Sequence, residues 1–64
     1  MQELSEKEIM IARHAAEGMT AQEIADAMYL SPETIKWYRK RMLRKADARN
    51  FAELIARLKD ENIL

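Results

Sequence analysis

The chain has no cysteine, one glycine, one proline and a formal net charge of zero across 64 residues. Without cysteine there is neither a disulfide staple nor a cysteine-ligated zinc site, which fits a reducing compartment. A domain this short buries only about 60% of the surface its unfolded chain exposes, so an unstapled one depends on well-packed helices. No apolar run approaches the roughly 20 residues that span a bilayer. Nothing at Met1-Gln2-Glu3 has the pattern of a signal peptide. The expectation is one soluble domain over residues 1–64, cytoplasmic, with no membrane partner.

Zero net charge argues against a nucleic-acid partner until the charges are placed along the chain. Through Thr34 the acids Glu3, Glu6, Glu8, Glu17, Glu23, Asp26 and Glu33 meet only Lys7 and Arg13. From Ile35 to Arg49 the cations Lys36, Arg39, Lys40, Arg41, Arg44, Lys45 and Arg49 meet the single acid Asp47. The total hides a dipolar molecule with one concentrated basic element. That is an electrostatic footprint for nucleic acid, although a solvated helix face gives the same count.

The few breakers sit where helices should end. Ser5-Glu6-Lys7-Glu8 and Thr20-Ala21-Gln22-Glu23 are capping boxes, and Asn50-Phe51-Ala52-Glu53 is a third of the same spacing. Ser31-Pro32 places an N-cap before a proline at the first helical position, where its missing N–H costs nothing. Gly18 can close the first helix in the left-handed conformation, and Asp47 is the one candidate breaker before Asn50. Helices are expected over about 5–17, 21–28, 32–46 and 51–60.

Apolar spacing agrees. Ile11, Ala12 and Ala15 share a face, as do Ile24, Ala25 and Met28; Ile35, Met42 and Leu43 supply the inward side of the third helix, and Ile55 and Leu58 much of the fourth. No segment alternates with period two for long enough to be a strand. The expected fold is all-α, a four-helix bundle-like domain.

A short second helix, the turn Tyr29-Leu30-Ser31 and a longer basic helix make the plan of a helix-turn-helix. In that plan the third helix enters the major groove, where base edges present a distinct donor and acceptor pattern. The second helix braces it. Ala21, Ala25 and Ala27 would permit close approach, and Leu30 would plug the turn from inside. By helical spacing Lys36, Trp37 and Lys40 share one quadrant, and Arg44 continues that line.

Several short motifs coincide at fixed separations: Leu4-Ser5-x-x-Glu8, Ala16-Glu17-Gly18-Met19-Thr20, Glu23-Ile24-Ala25, Leu30-Ser31-x-x-Thr34-Ile35-Lys36 and Arg49-Asn50-x-x-Glu53-Leu54-Ile55. Together they resemble the LuxR/NarL (GerE-like) DNA-binding domain, in register from about Leu4 to Leu64. The resemblance implies a dimer on double-stranded DNA and transcription control in bacteria, as the output domain of response regulators in two-component systems. It implies that Lys36 contacts a base edge or a phosphate, that Trp37 and Lys40 face the groove, and that Thr34 and Tyr38 meet phosphates. Arg41 and Arg44 complete the expected DNA-binding set, and the family places its dimer surface on the last helix. Three departures stand out. Trp37 and Tyr38 replace a small aliphatic and a histidine, so apolar contact should outweigh hydrogen-bonded readout, since an indole has only one donor. Asp47 replaces a glycine, and Asp takes the left-handed conformation less readily than Gly. Ala46 replaces a larger apolar residue, which suggests a looser local core.

The remaining conspicuous residues have ordinary readings. Trp37 reads as exposed rather than core. His14 has no partner at ligand spacing, so no metal is expected. Met10, Met19, Met28 and Met42 read as gap-filling core or boundary residues. Glu8, Glu17 and Glu23 read as caps and helix-end ion pairs rather than acid–base groups. Phe51, Leu54 and Leu58 either finish the core or leave part of their stripe exposed for dimerisation. No nucleophile–base pair, phosphate-cradling glycine loop or metal cluster is visible, so no enzyme, cofactor or small-molecule substrate is expected. The alternative to DNA binding is a protein-interaction module of the same fold that contacts RNA polymerase or a regulator partner. A basic third helix favours DNA.

Overall fold

The computed structural model describes residues 3–64, and among them it has four helices and no strand. They are α1 (Glu6–Ala16), α2 (Ala21–Met28), α3 (Pro32–Ala46) and α4 (Phe51–Asp60). Met1 and Gln2, on which the expectation of no signal peptide partly rests, lie outside the described residues.

Each helix begins where a side-chain acceptor precedes it: Ser5, Thr20, Ser31 and Asn50 accept from the backbone N–H three residues on. Two boxes close fully. Ser5 N–H donates to Glu8 Oε1 at 2.9 Å while Glu8 N–H donates to Ser5 Oγ at 3.2 Å. Thr20 and Glu23 repeat the exchange at 2.9 and 3.2 Å. The third expected box only half forms. Asn50 Oδ1 accepts from Glu53 N–H at 2.8 Å, but the Glu53 carboxylate turns to Arg49 at 3.2 Å and Arg57 at 3.1 Å. Charge-assisted bonds to two guanidinium groups outcompete a neutral backbone N–H.

The helix ends share one device. Gly18, Tyr29, Asp47 and Asn62 all take the left-handed conformation, with φ of 92°, 58°, 52° and 59°. The next N–H then reaches back five residues: Met19 to His14 O at 3.2 Å, Leu30 to Ala25 O at 2.9 Å, Ala48 to Leu43 O at 3.1 Å and Ile63 to Leu58 O at 2.9 Å. These are Schellman closures. In all four the apolar residue after the left-handed one packs against the core. Asp47 therefore does what the family's glycine does.

The core joins Ile11 and Ala12 of α1, Ile24 and Ala25 of α2, Ile35, Met42 and Ala46 of α3, and Leu54 and Leu58 of α4, none more than 2% exposed. Several expectations need correction. Leu43 and Ile55 are only half-buried, and Met10 is exposed. Ala27 faces solvent, so close approach rests on Ala25, with Ala21 half-buried beside it. Ala46 is packed fully, and its carbonyl accepts from the Arg57 guanidinium, which fastens α4 to the end of α3. The radius of gyration is 10.7 Å, the value of about 10.7 Å that a single compact body of this length should have.

Candidate nucleic-acid interface

The α2–turn–α3 unit is a helix-turn-helix whose turn is held by the left-handed Tyr29 and the inward Leu30. Ser31 caps α3, and its hydroxyl lies 2.9 Å from that of Thr34, so the Thr34 side chain is already engaged at the helix start.

Three turns of α3 then sort their residues by direction. Ile35, Met42 and Ala46 point inward. Lys36, Trp37, Lys40, Arg41 and Arg44 point outward, with Trp37 52% exposed, so the exposed reading of the tryptophan holds. Tyr38 is half-buried and meets Trp37 edge-on, with ring centroids 5.0 Å apart. It stands at the margin of the outward face. The Arg41 guanidinium lies over the indole of Trp37 at 5.4 Å, an arrangement that favours a cation above the ring's negative face.

Three of the cations counted in the basic stretch are spent internally. Lys45 Nζ donates to Glu8 Oε1 at 2.6 Å, joining α3 to α1. Arg39 lies over the ring of Phe51 at 4.6 Å, toward α4. Arg49 pairs with Glu53. By contrast Lys36, Lys40 and Arg44 have no ionic or hydrogen-bond partner among the described side chains. The free positive charge is thus narrower than the sequence count and lies along one line.

Glu8 is the buried counterpart of this surface. It is 1% exposed, and its second oxygen, Oε2, has no hydrogen-bond partner and faces Arg41 Nε at 3.8 Å. Burial pushes its carboxyl up, but the Lys45 ammonium and the Ser5 N–H outweigh that and hold it below the usual glutamate value.

The chain matches the family described as "Bacterial regulatory proteins, luxR family" over residues 2–58. It belongs to the luxR family. Within the family it is 38% identical over 60 residues to the virulence factors putative positive transcription regulator BvgA of Bordetella pertussis. The same identity holds for the BvgA proteins of Bordetella bronchiseptica and Bordetella parapertussis. The match covers 94% of this chain and 29% of each relative. Family membership makes the chain a helix-turn-helix, DNA-binding domain of the transcription-regulator kind.

On this luxR domain the structure brings Lys36, Trp37, Lys40, Arg41 and Arg44 to one face and leaves Thr34 and Tyr38 at its edge. The stripe proposed for dimerisation divides. Leu54 and Leu58 are fully buried in the core, so the core reading is right for them, and only Phe51 keeps a partly open side. Phe51 instead borders a groove of about 490 Å³ with Ala15, Ala16, Met19, Ala52, Ile55 and Ala56. His14 is half-buried with its Nδ1 unpartnered, and no group of three His, Asp or Glu residues comes together among the described residues. No helix of the described residues is long and apolar enough to cross a membrane.

Sequence reasoning passed over Glu33. It is exposed and shares a shallow hollow of about 260 Å³ with Lys36, Trp37 and Lys40. The signal was available, because positions 33, 36, 37 and 40 follow the i, i+3, i+4, i+7 rule of one helix face.

Proposed function

We infer that the chain binds duplex DNA sequence-specifically and regulates transcription as the output domain of a bacterial, cytoplasmic response regulator. In this reading α3 lies in the major groove and two copies pair on DNA. The observation that carries it is the outward line of Lys36, Lys40 and Arg44, unspent on internal partners among the described residues, with Trp37 and Arg41 beside it on the second helix of a helix-turn-helix. Lys36 and Trp37 lie in the first half of α3, where base edges are within reach. Arg41 and Arg44 lie further along, where phosphates fix register without reading sequence. Thr34 and Tyr38 flank the groove. Because Leu54 and Leu58 are occupied in the core, the pairing face assigned to α4 is Phe51 with the outward Ala52, Ile55 and Ala56.

The groove at Phe51 favours a second reading, in which the same fold contacts RNA polymerase or a regulator partner. Fluorescence anisotropy with labelled random duplex at several salt concentrations separates the two. DNA binding should weaken with salt at a log–log slope of about −0.9 for each phosphate neutralised. Lys36→Ala should then lose roughly 1–3 kcal/mol on a selected site, while Arg44→Ala should weaken all sequences alike and flatten the slope by about one unit. No binding at low salt would overturn the DNA reading and leave the protein partner.

A further inference from the structure

Glu33 is the one anion on a face it shares with Lys36, Trp37 and Lys40. It is the second residue of α3, exposed, and it walls the same hollow as Lys36, Trp37 and Lys40. An acid in a first turn complements the helix dipole, and each of the four helices has one. Glu6 of α1 is exposed and likewise without a partner among the described residues, but it lies away from the basic face; the remaining three have further work. Glu8 and Glu23 turn back to their cap N–H groups, and Glu53 holds two arginines. Glu33 stands one position short of a capping box, because Thr34 occupies the place three residues after Ser31. Lys36 and Lys40 follow it on the same face, yet its carboxylate has no ion-pair or hydrogen-bond partner among the described residues. It is an uncommitted acceptor at the end of α3 that leads into the groove.

A carboxylate next to phosphates only weakens binding, so its place is at base edges. Ionised, it offers acceptors and no donor. The major-groove edge supplies donors from only two bases, the N4 amino of cytosine and the N6 amino of adenine. Adenine sets the acceptor N7 beside its amino group, and guanine and thymine present only acceptors on this edge, with the thymine methyl alongside. Cytosine alone offers a donor with no acceptor next to it. Lys36, one turn along, is placed for the O6 and N7 acceptors of guanine. We propose that Glu33 is a specificity-determining residue that accepts from cytosine N4 and so demands a C·G pair at one position of each half-site, next to the base read by Lys36. This rests on the DNA-binding reading above.

The test is selection of sites from a randomised duplex pool by the chain, followed by affinities for every base at each selected position. The wild type should require cytosine at one position, where other bases lose roughly five- to a hundredfold. Glu33→Ala should flatten that position alone. Glu33→Gln, which both donates and accepts, should move the preference toward adenine. The side chain is exposed, so equal thermal melts of all three proteins establish that folding is unchanged. If Glu33→Ala keeps the wild-type ranking of bases and merely binds every duplex more tightly, the carboxylate serves only the helix end and the proposal fails. If the wild type binds no duplex at all, the DNA-binding reading fails and carries this proposal with it.

Discussion

Glu8 shows how one residue can join local and tertiary structure. As the N3 residue of α1 it closes a capping box, and as a buried anion it receives Lys45 from α3 at 2.6 Å. Burial raises its carboxyl; the Lys45 ammonium and the Ser5 N–H lower it further than burial raises it. A depressed folded value gives stability that is present above the ordinary glutamate pKa of about 4.3 and is lost as pH falls through the folded value. Removing one partner of a buried pair costs about 3–5 kcal/mol. Lys45 keeps 14% of its side chain exposed, so Glu8→Gln should cost less, roughly 2–3 kcal/mol at pH 7. Urea unfolding should show that deficit shrinking as pH falls below the ordinary glutamate value, where the unfolded chain takes up a proton, and on through the lower folded value. An equal deficit at pH 7 and pH 3 would mean that the ion pair contributes nothing. The box was legible as Ser5-x-x-Glu8. The partner was not, because 37 positions separate Glu8 from Lys45 and no local rule spans that distance.

At the scale of the element, starts were easier to read than stops. An N-cap needs a particular side chain, and Ser5, Thr20, Ser31 and Asn50 announce themselves. A Schellman closure needs a left-handed residue and then an apolar one that finds the core. Only Gly18 advertises the first requirement; Tyr29, Asp47 and Asn62 meet it because Leu30, Ala48 and Ile63 are pulled inward. Tyr29 is the most strained of these by chemistry, since its side chain is 95% exposed and cannot bond its own backbone as Asp and Asn can. Replacing it with glycine should stabilise the domain by roughly 0.5–1 kcal/mol after allowing for glycine's freedom in the unfolded chain. Tyr29→Ala, which keeps a Cβ, should gain almost nothing. Chemical denaturation of both variants decides it, and equal stability would show that the left-handed turn stores no strain.

For the molecule as a whole, α4 decides how much surface is left for partners. Leu54 and Leu58 look inward, and Ala52 and Ala56 look outward. Leu54→Ala should therefore cost about 2–5 kcal/mol as a core truncation, a large part of the roughly 3–10 kcal/mol that a domain of this length commands. Ala56→Asp should cost only about 0.5–1 kcal/mol of helix propensity and, on the pairing proposed above, should reduce the stoichiometry on DNA from two copies toward one. Unfolding curves paired with native gels of the DNA complex read both outcomes. If Leu54→Ala left stability unchanged and abolished pairing, the stripe would belong to the surface instead.

The all-α fold, four helix spans, the helix-turn-helix and the family were legible from residue types and spacing, because each depends on short-range chemistry: caps, turn residues, apolar period and a run of cations. The exposure of Trp37 was legible too, since direction on a helix follows from spacing. Which cations are free depends instead on how the helices pack. Lys45 and Arg39 belong to the same basic run as Lys36 and Lys40, but α1 and α4 pack beside α3 and claim them with Glu8 and Phe51. The same packing settled the α4 stripe, where helical period identifies a face and says nothing about what covers it. Period gives direction within an element; only the arrangement of the others says whether that direction ends in a neighbour or in water.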